Sequence, residues 1–193
     1  MRWYWVDRFT VFERGRRAVG IKTVSQAEEQ IDEHLAGFPY LPQSLVIEGL
    51  AQVGGLLLTE WAHFRQSVVL AKISKANFFD VARPGDTLTY TITLQDIKPD
   101  GALATGTSHI GERLQAETEL CFAYLDKTFA RGHTIDDEGY AKIVRSVRMY
   151  EVGCDQNGQP LQFPAILLQA EAGPKLRPTP SLAANEVTSI LLP

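Results

Sequence analysis

The chain has 193 residues, 45% of them hydrophobic and 22% charged, which places it in the globular range with enough length to bury a core. A net charge of −4 excludes the electrostatic footprint of a nucleic-acid binder, and no basic run points to a membrane surface. Two cysteines, Cys121 and Cys154, call for no disulfide framework and suit a reducing cytoplasm, while Arg2, Asp7 and Arg8 interrupt any signal-peptide core.

In chain order, residues 3–6 and 18–23 read as short strands flanking a turn at 13–17. Residues 25–33 are polar and acidic, a helical turn or a loop. Residues 37–42 form a connector that Pro39 and Pro42 stiffen. Residues 44–64 are the strongest helix candidate. Leu45, Val46, Ile47, Leu50, Val53, Leu56, Leu57, Leu58 and Trp61 make it apolar on nearly every face, so it is expected to be buried all round. Wrapping a sheet around it is the simplest way to do that in a chain of this size. The longest apolar stretch, 45–58, contains Glu48 and Gln52 and is too short and polar to span a bilayer.

Strand-like runs follow at 68–73, 86–95, 102–110 and 115–125, separated by turn chemistry at 83–86, 98–101 and 111–112. In the second run Leu88, Tyr90, Ile92 and Leu94 share one side; in the last, Glu117 and Glu119 alternate with Thr118, Leu120 and Phe122. Residues 134–150 then read as an amphipathic helix with Thr134 as N-cap and Tyr140, Ile143, Val144 and Val147 on its apolar face. Beyond residue 153, six of the ten prolines suggest an extended arm or partial disorder.

The segment Glu33-His34-Leu35-Ala36-Gly37-Phe38-Pro39-Tyr40-Leu41-Pro42-Gln43-Ser44-Leu45-Val46-Ile47-Glu48 places a histidine before a proline-braced loop and a carboxylate one turn into a helix. Histidine exchanges a proton near neutrality. A carboxyl among apolar residues is expected to favour its protonated form. The helix start between them offers unpaired backbone N–H groups for a developing oxyanion. One base, one acid and one oxyanion site suit elimination of water from a 3-hydroxyacyl thioester. The plainer alternatives are a solvated loop histidine and a helix-dipole glutamate, although Ser44 and Glu48 are four residues apart and do not form a capping box.

This segment resembles the active-site signature of the FabZ/FabA 3-hydroxyacyl-(acyl carrier protein) dehydratases, roughly G-H-F-P-G-x-P-x-M-P-G-V-L-x-x-E-A-x-A-Q. His34, Gly37, Pro39, Pro42, Leu45, Glu48, Ala51 and Gln52 match without a gap. Tyr4-Trp5-Val6-Asp7-Arg8 is similar to the family's N-terminal strand, Arg83-Pro84-Gly85-Asp86 to its P-G-D turn and the stretch 117–123 to its final strand. Gln43 stands where the family has a glycine whose N–H meets the thioester carbonyl, and Leu35-Ala36 replaces F-P.

The resemblance covers residues 1–127. It implies an α+β hotdog fold, with a long central helix wrapped by a curved antiparallel sheet, here followed by a helical and extended C-terminal extension over 128–193. It implies His34 and Glu48 as catalytic residues from different protomers of a homodimer, with trimers of dimers as a further assembly. Gln43, Ser44, Gln52, Phe78 and Phe79 are the expected substrate-binding residues. The expected partner is acyl carrier protein bearing a 3-hydroxyacyl thioester, approached through Lys72, Lys75 and Arg83 or leaving these as solvated surface cations. No cofactor, metal, nucleic acid or membrane is expected. His63, His109 and His133 lack metal-ligand spacing, and Cys121 reads as core. A hotdog thioesterase and a non-catalytic acyl-binding module are the rival functions. The C-terminal extension is expected to pack on the domain through its helix and to stand apart from the site.

Overall fold

The computed structural model describes residues 4–32, 34–35, 37–125 and 135–171. A hairpin of β1 (Arg8–Glu13) and β2 (Arg17–Thr23) leads through a short turn of helix, α1 (Glu29–Asp32), to the long helix α2 (Gln43–Trp61). Four strands follow: β3 (Ser67–Phe78), β4 (Thr87–Lys98), β5 (Gly101–Ile110) and β6 (Arg113–Leu125). The chain then forms α3 (Asp137–Ser146), α4 (Met149–Val152), the two-residue strand β7 (Gly153–Cys154) and α5 (Ala165–Glu171). The sheet order is β3-β6-β5-β4-β2-β1-β7, antiparallel except for β1 with β7.

Helix α2 packs against β2, β3, β4, β5 and β6, so the sheet wraps it as the apolar run requires. Leu50, Leu57 and Leu58 are completely buried, each contributing about 1.5–3 kcal/mol of apolar transfer free energy. The alternation in β4 puts Leu88, Tyr90 and Ile92 under the helix at 0% exposure. Two glycines let the helix come this close. A Cβ on Gly49 would lie 2.5 Å from the Tyr90 ring, and one on Gly54 would lie 2.6 Å from Phe122.

Both helix ends follow from local chemistry. Pro42 is the N-cap (φ −54°, ψ 139°) and cannot continue a helix backwards. At the other end His63 and Phe64 both take left-handed backbone, φ 53° and 58°. That conformation costs roughly 1–2 kcal/mol per non-glycine residue. Burial of the Phe64 ring, edge-on to Tyr140 at 5.6 Å, offsets it.

Several boundaries differ from the sequence expectation. Residues 4–6 are not a strand, although Trp5 and Val6 are buried; the first strand is β1, further along the chain. Strand β3 continues to Phe78 through a polar stretch, because as an edge strand it has no alternation to read. Thr134 lies outside the described residues; Asp136 caps α3, its Oδ1 accepting from the Gly139 N–H at 2.9 Å. The helix stops at Ser146 because Arg148 turns left-handed at φ 54°. Residues 153–171 hold a strand and a helix where an extended arm was expected, and 172–193 lie outside the described residues.

Candidate active site

Glu48 sits in the second turn of α2. Glu48 is exposed. The all-round burial expected for α2, and with it the desolvation of Glu48, does not hold here. Burial runs from Val46 along the sheet-facing side, while Gln43, Ser44 and Glu48 stay outside. Glu48 is held instead by a short relay. The Trp5 backbone N–H donates to Gln52 Oε1 at 2.9 Å. Because a backbone N–H only donates, the Gln52 oxygen must face it, which turns Nε2 toward Glu48. Nε2 then donates to Glu48 Oε1 at 2.9 Å. Gln52, expected to bind substrate, thus donates to the Glu48 carboxylate and also lines the cavity beside it.

Beside this pair opens a cavity of about 390 Å³. Glu48, Gln52 and Thr59 give it a polar side. Val6, Ala51, Leu56, Val68, Leu70 and Phe122 make the remainder largely apolar. Ile135, Tyr140, Ile143 and Val147 close it from the C-terminal segment, which the sequence had placed apart from the site.

His34 is also exposed and does not line this cavity. Its Nε2 lies 2.9 Å from the Tyr40 hydroxyl, and the rings meet edge-on at 5.1 Å. Phe38 adds an edge contact to Tyr40 at 5.8 Å, and the Arg83 guanidinium stacks 4.6 Å from Phe38. The loop reaches this shape through Gly37 at φ +78° and is tied down by buried Leu41, whose N–H donates to the Ala82 carbonyl at 2.7 Å. Within the single chain, then, His34 is seated on an aromatic loop and Glu48 on the cavity.

At the start of α2 the N–H groups of Leu45 and Val46 both donate to the Pro42 carbonyl, and no side chain among the described residues caps the first turn. The N–H groups of Gln43 and Ser44 are left for a ligand or solvent. Gln43 is the first helical residue and has no positive φ, so this position does not need glycine.

Phe78 is partly buried against the core and Phe79 is 58% exposed; neither lines the cavity. Lys75 is ion-paired with Glu117 at 2.8 Å, which holds its amine above and the carboxyl below their ordinary ranges. Lys72 and Arg83 are exposed. His133 lies outside the described residues. Among those described, no cluster of histidine, cysteine or carboxylate side chains is built to hold a metal, and no helix is long and apolar enough to cross a membrane.

Among the described residues, two buried charged groups, Lys22 and Glu60, escaped the sequence reading. Glu60, in the last turn of α2, is 1% exposed and ion-paired with Arg14, whose Nε donates to Oε2 at 2.7 Å. The signal was present: a carboxylate at a helix C-terminus meets the negative end of the dipole and needs a cation.

The architecture is the hotdog fold. The sequence model of the FabA-like domain matches residues 3–116, more than half of the chain. The chain belongs to the FabA-like domain family. It is 38% identical over 119 residues to the 3-hydroxyacyl-[acyl-carrier-protein] dehydratase FabZ of Pelotomaculum thermopropionicum, covering 61% of this chain and 85% of that one. It is 38% identical over 127 residues to the FabZ of Thermomicrobium roseum, covering 65% and 85%. Among solved structures it resembles smu.793 from Streptococcus mutans bound to acetyl CoA, with TM-score 0.53, 13% identity and coverage of 66% and 94%. It also resembles the dehydratase heterocomplex ApeI:P from Xenorhabdus doucetiae, with TM-score 0.54, 15% identity and coverage of 64% and 84%.

Proposed function

We propose that this chain dehydrates 3-hydroxyacyl thioesters of acyl carrier protein to trans-2-enoyl thioesters in fatty acid biosynthesis. The observation that carries the reading is the Glu48 carboxylate, oriented by Gln52 at the mouth of an apolar cavity, within a FabA-like domain. His34 takes a proton from C2 of the acyl chain. The thioester oxygen gains negative charge, which the N–H groups of Gln43 and Ser44 stabilise. The C3–O bond breaks as Glu48 delivers its proton to the hydroxyl, and water leaves. His34 ends protonated and Glu48 ionised, and proton exchange resets both. Cys121 and Cys154 are free thiols, in keeping with a cytoplasmic enzyme.

The site is completed by a second copy of the chain. His34 does not line the Glu48 cavity, which supports a site whose acid and base come from different protomers. Strand β3 supports this assembly: among the described residues it pairs with β6 on one side and leaves its twelve-residue edge without a partner on the other. Exposed Ile73 lies on that strand.

Replacing His34 by Ala is expected to lower turnover about 100–10,000-fold, with the fold unchanged. Mixing His34→Ala with Glu48→Gln protomers tests the shared site. One of the two sites in a mixed dimer keeps both native residues, so partial activity returns. Full turnover by either variant alone would remove the assignment, and absence of rescue in a proven mixed dimer would remove the shared site. Assays with saturated acyl thioesters separate dehydration from hydrolysis.

A further inference from the structure

We infer that the C-terminal segment is the specificity wall of the acyl cavity, with Tyr140, Ile143 and Val147 stopping an acyl chain that runs along α2 past Gly55. The identity of the ligand rests on the proposed function; the wall itself rests on the packing.

The segment lies beyond residue 116, where the match to the family ends. It is nevertheless part of the same core. Tyr140, Ile143 and Val147 are 8%, 5% and 2% exposed, and all three line the cavity that holds Glu48. They are held by contacts on every side. The Val147 carbonyl accepts from the Phe9 N–H at 2.8 Å, Tyr140 meets Phe64, and α5 packs behind α3 through fully buried Leu167. The Arg145 guanidinium forks onto Glu171 at 2.6 and 2.7 Å and ties α5 to α3. A wall held in this way does not yield to a longer chain without losing packing.

Gly55 supplies the second, independent observation. Glycine inside a helix is less favourable than alanine. Gly49 and Gly54 have a packing reason, since a Cβ would clash with Tyr90 or Phe122. Gly55 has none of that kind: among the described residues an added Cβ meets nothing within 4 Å, and Gly55 lines the cavity. The missing side chain leaves open the space through which a chain starting at Glu48 would reach the α3 wall.

The test uses the full chain and saturated acyl-pantetheine thioesters from butyryl to dodecanoyl, which cannot be dehydrated, with the matching free fatty acids as a second arm. Calorimetry reads affinity against chain length. In the native protein affinity for the thioesters rises about fourfold per methylene up to a limit and then falls. Ile143→Ala moves the limit to longer chains. Gly55→Leu moves it to shorter chains while the melting temperature holds or rises, since leucine favours the helix; Gly55→Ala gives a smaller shift in the same direction and guards against misfolding of the larger variant. Unchanged profiles in Ile143→Ala and Gly55→Leu overturn the wall, as does a native protein that binds no saturated thioester. Equal preference for free acids overturns the thioester as ligand. Chain-length-limited binding without dehydration of any 3-hydroxyacyl thioester would leave the wall standing and remove the dehydratase. Dehydration with unmoved profiles would do the reverse.

Discussion

The two ends of helix α2 hold one carboxylate each, in opposite settings. Glu60 is buried in the last turn and closed by the Arg14 guanidinium. Tyr150 sits near this pair, and burial first, then the Glu60 charge, pushes its phenol far above the ordinary range. Glu48, in the second turn, is exposed and meets the neutral amide of Gln52 at the edge of a cavity. A guanidinium stabilises an ionised carboxylate and fixes it there. An amide orients the group without placing a charge beside it. The same residue type on one helix is thus closed by an ion pair at one end and, on the proposed function, the proton donor at the other.

The largest expected effect separates these roles directly. Glu48→Gln should lower turnover about 100–10,000-fold, with stability changed by no more than about 0.5 kcal/mol, as befits an exposed position. Glu60→Gln should do the opposite. It leaves the Arg14 guanidinium without its partner and should cost about 3 kcal/mol in urea unfolding, while turnover per folded molecule persists. Loss of turnover in the Glu60 variant at full stability would break the comparison.

A middle-sized effect sharpens it. If Gln52 acts by orienting Glu48, Gln52→Leu should lower kcat about tenfold or more, because small misplacement of a proton donor is costly. KM should stay within about twofold. A rise in KM at unchanged kcat would return Gln52 to the substrate-binding role expected from sequence.

Much of the fold was legible because it depends on local pattern. The apolar run of α2 and the alternation in β4, β5 and β6 have periods that follow from which faces are buried. What escaped depends on distant partners. The carboxylates of Glu48 and Glu60 sit in similarly apolar sequence, and which one is buried depends on the position of Arg14 and on where the sheet ends. Strand β3 was shortened because Ser74, Lys75 and Asn77 lie on an edge, where one face does not need to be apolar. His34, Gly37 and Glu48 were legible as a motif. The seating of His34 on Tyr40 and the closure of the cavity by Tyr140 and Ile143 were not, since both bring together residues whose sequence spacing carries no signal.

The smallest effect tests which variable governs a carboxylate, burial or the cation beside it. Glu60 has both and Glu48 has neither, so a third case is needed. Glu171 supplies it: it lies in α5 at the surface and is forked by Arg145, which stacks on Phe163 at 4.2 Å. The hydrogen bond from Arg145 holds the Glu171 carboxyl below its ordinary range, against a smaller opposing effect of burial. A carboxyl lowered on folding contributes stability that is complete above the unfolded-state value near 4.5 and is lost as pH falls through the lower folded value. Because the pair is exposed, its loss should loosen α5 locally and leave the global melting of the sheet to other groups. Hydrogen exchange should therefore show the amides of Ala165–Glu171 losing protection as pH is taken below 4.5, after correction for the intrinsic exchange rate, ahead of those in β4 and β5. Arg145→Met should produce the same local loss already at neutral pH and remove its pH dependence. If α5 keeps its protection in acid while Arg145→Met still loosens it, the guanidinium acts through its stacking on Phe163, and the cation beside a carboxylate would no longer be the variable that distinguishes Glu60 from Glu48.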